Sequence, residues 1–130
     1  RLRQVRFLDR YFDLHVMDAM QVAVDTALGR YPMQRDEGVA IAHERLERAY
    51  AWLDGHLASR TWAADDGFTL ADCAAAPSLF YADWIYRIPD HYPALRAYRS
   101  RLLARPSFAR AVDEARPFRP LFPLGAPDRD

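Results

Sequence analysis

The sequence predicts an all-α fold: a single domain of about five helices around a kinked, buried central helix. Apolar residues recur at spacings of three and four through most of the chain. Gly and Pro punctuate those runs, and no segment alternates with period two between hairpin turns. The chain has 130 residues, of which 51% are hydrophobic and 28% charged. That is enough for one core without disulfides or metals.

The first helix carries the stripe Val5, Leu8, Phe12, Val16, Ala19 and Ala23. A second line, Phe7, Tyr11, Leu14, Met17 and Met20, widens it, so this helix is expected to be covered on more than one side. Gly29 and Pro32 stop it. The second helix is predicted to start at Asp36 as N-cap, with stripe Ile41, Leu46, Ala49, Tyr50, Leu53 and Leu57 and an exposed Glu44–Arg48 pair.

Ala64-Asp65-Asp66-Gly67 forms a turn, with Gly67 available for a left-handed backbone. In Phe68-Thr69-Leu70-Ala71-Asp72-Cys73, Thr69 is a cap and Asp72 its reciprocal partner. Phe68 is expected to staple onto Cys73, which is read as a small structural hydrophobe. The nearly all-apolar run from Ala74 to Ile85 makes the central helix, kinked at Pro77. Pro93 opens a fourth helix with stripe Leu95, Tyr98, Leu102 and Leu103. Arg105-Pro106 breaks it, and Ser107 is expected to cap a fifth helix through Ala115. Residues 117–130 read as an irregular tail, with Phe118, Leu121 and Phe122 packing back.

Composition removes several functions. All 18 basic residues are arginine, which excludes Schiff-base and P-loop lysines. They balance 18 acidic residues, so a strongly basic nucleic-acid binder is disfavoured. The single Cys73 rules out an internal disulfide, CxxC chemistry and cysteine zinc sites; no metal site is expected. No apolar run reaches the roughly 20 residues needed to span a bilayer, and no membrane role is expected. Seven arginines, at 96, 99, 101, 105, 110, 116 and 119, read as solvated helix faces rather than as a site for RNA or an acidic protein. The chain begins at Arg1 without methionine or signal core, and is expected to be a fragment or processed product of a cytoplasmic protein.

The segment Trp62 to Pro77 resembles the start of the sixth helix of cytosolic glutathione S-transferases. Ala51-Trp52-Leu53-Asp54-Gly55-His56-Leu57-Ala58 is similar to the end of their fifth helix. Tyr92-Pro93-Ala94-Leu95 and Arg105-Pro106-Ser107-Phe108 resemble the starts of their last helices. The likeness runs from about Arg6 to about Pro117, with Asp65 where the family usually carries Gly. It implies the C-terminal helical domain alone, residues 1–130. In that family a preceding thioredoxin-like domain holds glutathione and the catalytic residue; it is expected to be absent from this chain, and no residue here is expected to be catalytic.

The resemblance further implies a bacterial enzyme that conjugates glutathione to a small hydrophobic electrophile. This domain would supply the electrophile side of the cleft and part of a homodimer surface. Asp13-Leu14-His15 is similar to the Glu-Leu-His segment of bacterial beta-type enzymes, whose histidine faces the cleft; Val16 stands where those enzymes are basic. Tyr11, His15, Phe12, Met17 and Met20 are the expected substrate-binding residues, with Tyr11 and His15 as the cleft pair. The alternatives are plain core packing for these side chains, and a non-catalytic protein-interaction module of the same fold for the whole chain.

Overall fold

The computed structural model describes residues 1–64 and 66–130; Asp65, in the expected turn, lies outside them. The first apolar stripe forms one continuous rod of three parts: α1 (Leu2–Tyr11), a π-helical segment (Phe12–Met17) and α2 (Asp18–Ala27). Gly29 closes it at φ 74°, a left-handed cap that lets Arg30 donate back to the Asp25 carbonyl at 2.9 Å. Gly125 is the other left-handed glycine among the described residues; Gly67, expected to take that role, does not.

Helix α3 (Arg35–Leu57) starts from Gln34, not Asp36. Asp36 and Glu37 fall in its first turn, where a carboxylate meets the positive end of the helix dipole. Leu46, Ala49, Tyr50, Leu53 and Leu57 are buried as expected, but Ile41 is exposed and Ala42 faces inward. The Glu44–Arg48 pair forms at 3.1 Å on the wet face. Helix α3 lies very close to α2 because Gly38 has no side chain: a Cβ there would stand 2.3 Å from Thr26 Oγ1.

Helix α4 (Leu70–Ile85) carries the capping box. Thr69 Oγ1 accepts from the Ala71 amide at 3.3 Å, and Asp72 accepts from the Thr69 amide at 2.9 Å. The staple differs from expectation. Cys73 is exposed, and Phe68 packs edge-on against Trp62 with Arg105 stacked 3.6 Å above its ring. Helix α4 touches α1, the π segment, α2, α3 and α5, which makes it the central element. It is not apolar throughout: Asp72 and Asp83 are buried within it, both fully hydrogen-bonded. Pro77, inside the helix, withholds the amide that the Cys73 carbonyl would otherwise accept from.

Helices α5 (Pro93–Ala104) and α6 (Pro106–Ala115) each open on proline. Asp54 of α3 accepts from the Leu95 amide at 3.0 Å and so satisfies the start of α5 from outside. Pro106 fixes the first turn of α6, leaving Arg105, not Ser107, at the cap position. The segment expected to be irregular begins with a 3-10 turn, Arg116–Leu121. Phe118 and Leu121 stay exposed; Phe122 alone of the three packs back, on Tyr81 and Trp84. The fold is all helical, with no strand among the described residues.

Several of the arginines expected on solvated faces are engaged in structure. Arg99 donates to the Leu79 and Phe80 carbonyls, Arg101 to those of Thr61 and Arg60, and Arg119 to that of Arg129. Arg101 and Arg119 satisfy loop and tail carbonyls, and Arg99 adds a second donor to carbonyls within α4; local periodicity shows none of these.

Candidate functional site

The α1–π–α2 rod presents side chains spaced three and four residues apart to three surroundings. Phe12 and Val16 point into the core and are fully buried. The Phe12 ring stacks on Tyr98 at 6.3 Å, so Phe12 is a core residue and opens on no described cavity. The wider π turn lies where the rod passes α4 and α3. π segments are frequent at functional sites, and here one contributes to both surfaces that follow, His15 to the groove and Met17 to the cavity.

The first surface is an apolar cavity of about 420 Å³ between α2, α4, α6 and the segment after α6. Met17, Met20 and Val24 line one wall, Phe80, Tyr81 and Trp84 the facing wall, and Phe118, Arg119 and Phe122 a third. Methionines beside aromatic rings give walls that can adapt to ligands of varied shape. Polar atoms are few. Gln21 spends its amide nitrogen on Asp25 at 3.0 Å, and the Trp84 indole N–H is buried without an acceptor. Met17 also borders a smaller, more polar cleft with Asp9, Asp13, Ala74 and Pro77.

Tyr11 and His15 face a different place, a groove between the rod and α3. Their rings lie 4.7 Å apart, and Tyr11 stacks on Trp52 at 4.6 Å. Phe7 continues the array toward the start of the rod, and His56 continues it along α3. Phe7 and Trp52 are 56% and 41% exposed, so the array faces water. Arg3, Arg6, Arg10, Arg45 and Arg48 rim it. The Tyr11 hydroxyl donates to the Ala49 carbonyl at 3.3 Å, and burial pushes its pKa up to about 12. It stays a neutral phenol committed to the backbone.

The five expected site residues therefore divide: Met17 and Met20 on the cavity, Tyr11 and His15 in the groove, and Phe12 in the core.

A family model of the glutathione S-transferase C-terminal domain matches residues 11–106, most of the chain. The chain belongs to the glutathione S-transferase C-terminal domain family. Among solved structures it is similar to the crystal structure of a glutathione S-transferase domain-containing protein from Marinobacter aquaeolei VT8. The TM-score is 0.63 at 25% identity, over 79% of this chain and 53% of that one. This chain thus corresponds to about half the length of that neighbour. No curated protein sequence matches significantly.

As a transferase C-terminal domain, the chain shows features that the sequence reading missed. The aromatic wall of Phe80, Tyr81 and Trp84 lies on the helix whose nearly all-apolar run predicts burial on every side. Its i, i+1, i+4 spacing is one face, and ring-rich faces of that kind are a usable signal for a pocket. The contribution of residues 118–123 left no such signal, because the 3-10 turn is too short to carry a period. No helix of the described residues is long and apolar enough to cross a membrane.

Proposed function

We propose that this domain forms the electrophile-binding side of the active-site cleft of a bacterial, cytoplasmic glutathione transferase. The apolar cavity of Met17, Met20, Val24, Phe80, Tyr81 and Trp84 carries the reading. Glutathione, bound as thiolate by a thioredoxin-like domain outside this chain, attacks a small hydrophobic electrophile held against these walls. The domain contributes positioning and exclusion of water, and none of its residues takes a proton or forms a bond. This chain alone is accordingly inactive.

In the intact protein, Met20→Trp fills the cavity. The expected result is a raised KM for an apolar aryl halide with KM for glutathione unchanged. An effect confined to glutathione, or no effect, overturns the assignment.

The exposed side chains of Phe7, Leu14 and Trp52, with Tyr11 half-buried behind them, support a further part of this reading, that the domain also supplies part of a homodimer surface. Large exposed apolar patches mark interaction sites. The same array is what favours the alternative reading, a non-catalytic interaction module. A protein that associates through this face yet never conjugates glutathione when intact would establish that alternative.

A further inference from the structure

Leu8, Phe12, Val16, Met20 and Val24 recur every four residues along the rod, and all five are buried. On an α-helix a spacing of four drifts about 40° per step, so this stripe would wind about 160° around the rod between Leu8 and Val24. The π segment Phe12–Met17 offsets much of that drift. It holds one residue more than an α turn and sets everything after it back by about 100°. In a continuous α-helix Met17 and Met20 would point about 100° away from their present direction, off the cavity wall. The π turn also leaves one main-chain oxygen over. The Asp18 amide donates to the Asp13 carbonyl, five residues back, and not to that of Leu14. The Leu14 carbonyl thereby loses the amide that an α-helix would give it. Arg45 of α3 supplies the replacement, its Nη2 donating to that carbonyl at 3.3 Å. Among the described residues the Arg45 guanidinium has no other hydrogen bond and no ion pair.

We infer that Arg45 is a positioning residue for the electrophile site: by donating to the Leu14 carbonyl it holds the π turn in place and so keeps Met17 and Met20 on the cavity wall. Arg45 lies in the groove with Tyr11 and His15, on another side of the rod, and lines no part of the cavity. Its effect on the cavity passes through the backbone of the rod. Without its donor the π turn is free to move along the rod, and each residue that it passes turns by about 100°. In those forms the methionine wall is turned away. The apparent affinity for an electrophile then falls with the fraction of molecules that keep the wall in place. The inference rests on the cavity reading above.

Two measurements test the role of Arg45. This chain has three methionines, Met17, Met20 and Met33, so labelling methionine methyls gives three signals. Phe80, Tyr81 and Trp84 face Met17 and Met20 across the cavity and shift their methyl resonances; Met33 lies outside it and serves as the control. Arg45→Ala is expected to move the Met17 and Met20 signals toward unshifted values and to leave Met33 in place. Arg45→Lys, which keeps a charged donor, is expected to match the parent. Unmoved signals in Arg45→Ala, or a displacement of all three alike, overturn the inference. The second measurement is steady-state kinetics of the intact protein. Arg45→Ala is expected to raise KM for an apolar aryl halide about three- to tenfold, the effect of losing one ordinary hydrogen bond. Its kcat and its KM for glutathione are expected to stay unchanged, and Arg45→Lys to restore the parent KM. A merely destabilised enzyme would lose kcat at constant KM, and that result also overturns the positioning role. Met20→Trp separates this inference from the cavity reading. If it raises KM for the halide while Arg45→Ala does not, the inference fails and the cavity stands. If neither variant changes that KM, the cavity reading fails and the inference with it.

Discussion

The Tyr98 hydroxyl donates to the Asp72 carboxylate at 2.6 Å, joining α5 to the start of α4 across 26 residues. The same Asp72 oxygen accepts from the Ala63 amide at 2.9 Å, and the other accepts from the Thr69 amide. One buried carboxylate thus caps a helix, fixes the incoming loop and satisfies a fully buried phenol whose pKa is driven far up by burial.

Asp72→Ala is expected to be among the most damaging single changes. It strips the acceptor from two buried donors, each worth ~1–3 kcal/mol when left unpaired, and from the half-buried Thr69 amide. A loss of about 3 kcal/mol or more corresponds to a fall in melting temperature on the order of 10 °C. Tyr98→Phe removes one tie only and is expected to cost about 1–2 kcal/mol. Urea unfolding of both variants checks the order; equal stability of Asp72→Ala and the parent would refute the hub.

Gly38→Ala is expected to destabilise by ~1–3 kcal/mol, because the new methyl collides with Thr26. Thr26→Ala in the same chain should return only part of the loss, since the residue-26 Cβ would still stand 2.5 Å from the new methyl. If Gly38→Ala instead gained stability, as a helix-interior alanine usually does, the close approach of α2 and α3 would be wrong.

Acid is expected to loosen the C-terminal segment before it unfolds the core. Hydrogen bonds from Arg116 and then Arg119 hold the Asp130 pKa down from its ordinary 3.8 to about 2. A depressed pKa places the stabilising contribution above the unfolded value. The contact is therefore intact above about pH 4 and disappears as pH falls through about 2. Exchange at the Gly125 amide, measured from pH 5 to pH 2, should accelerate in that window beyond its intrinsic pH dependence. Asp130→Asn should already be fast at pH 5.

Trp52→Ala combined with Phe7→Ala is expected to weaken self-association of the intact protein. Aromatic anchors at an interface each contribute about 2 kcal/mol or more, roughly 30-fold in Kd apiece. Both side chains are exposed in this chain, so folding should survive. Sedimentation at several concentrations reads the outcome, and an unchanged dimer constant would move the subunit contact elsewhere.

Local features were legible in the sequence because they are made of neighbours. Thr69 and Asp72 lie three apart, Glu44 and Arg48 four apart, and Pro93 sets its own backbone angle, so each needs only its own helix to act. The stripes located the helices and the core side of the rod for the same reason. Which remaining face meets which neighbour is a property of packing. Phe12 and Met17 both sit on the apolar half of the rod, yet the structure sends one to Tyr98 and the other to a cavity. Cys73 left the staple because Trp62 and Arg105, from two other segments, took its place against Phe68. The tie between Asp83 and Arg129 spans 46 residues and has no period to announce it. Short-range spacing determined the helices and the family likeness. The chain had to fold before charges and rings distant in sequence could choose partners, and those choices made the cavity, its C-terminal wall and the groove.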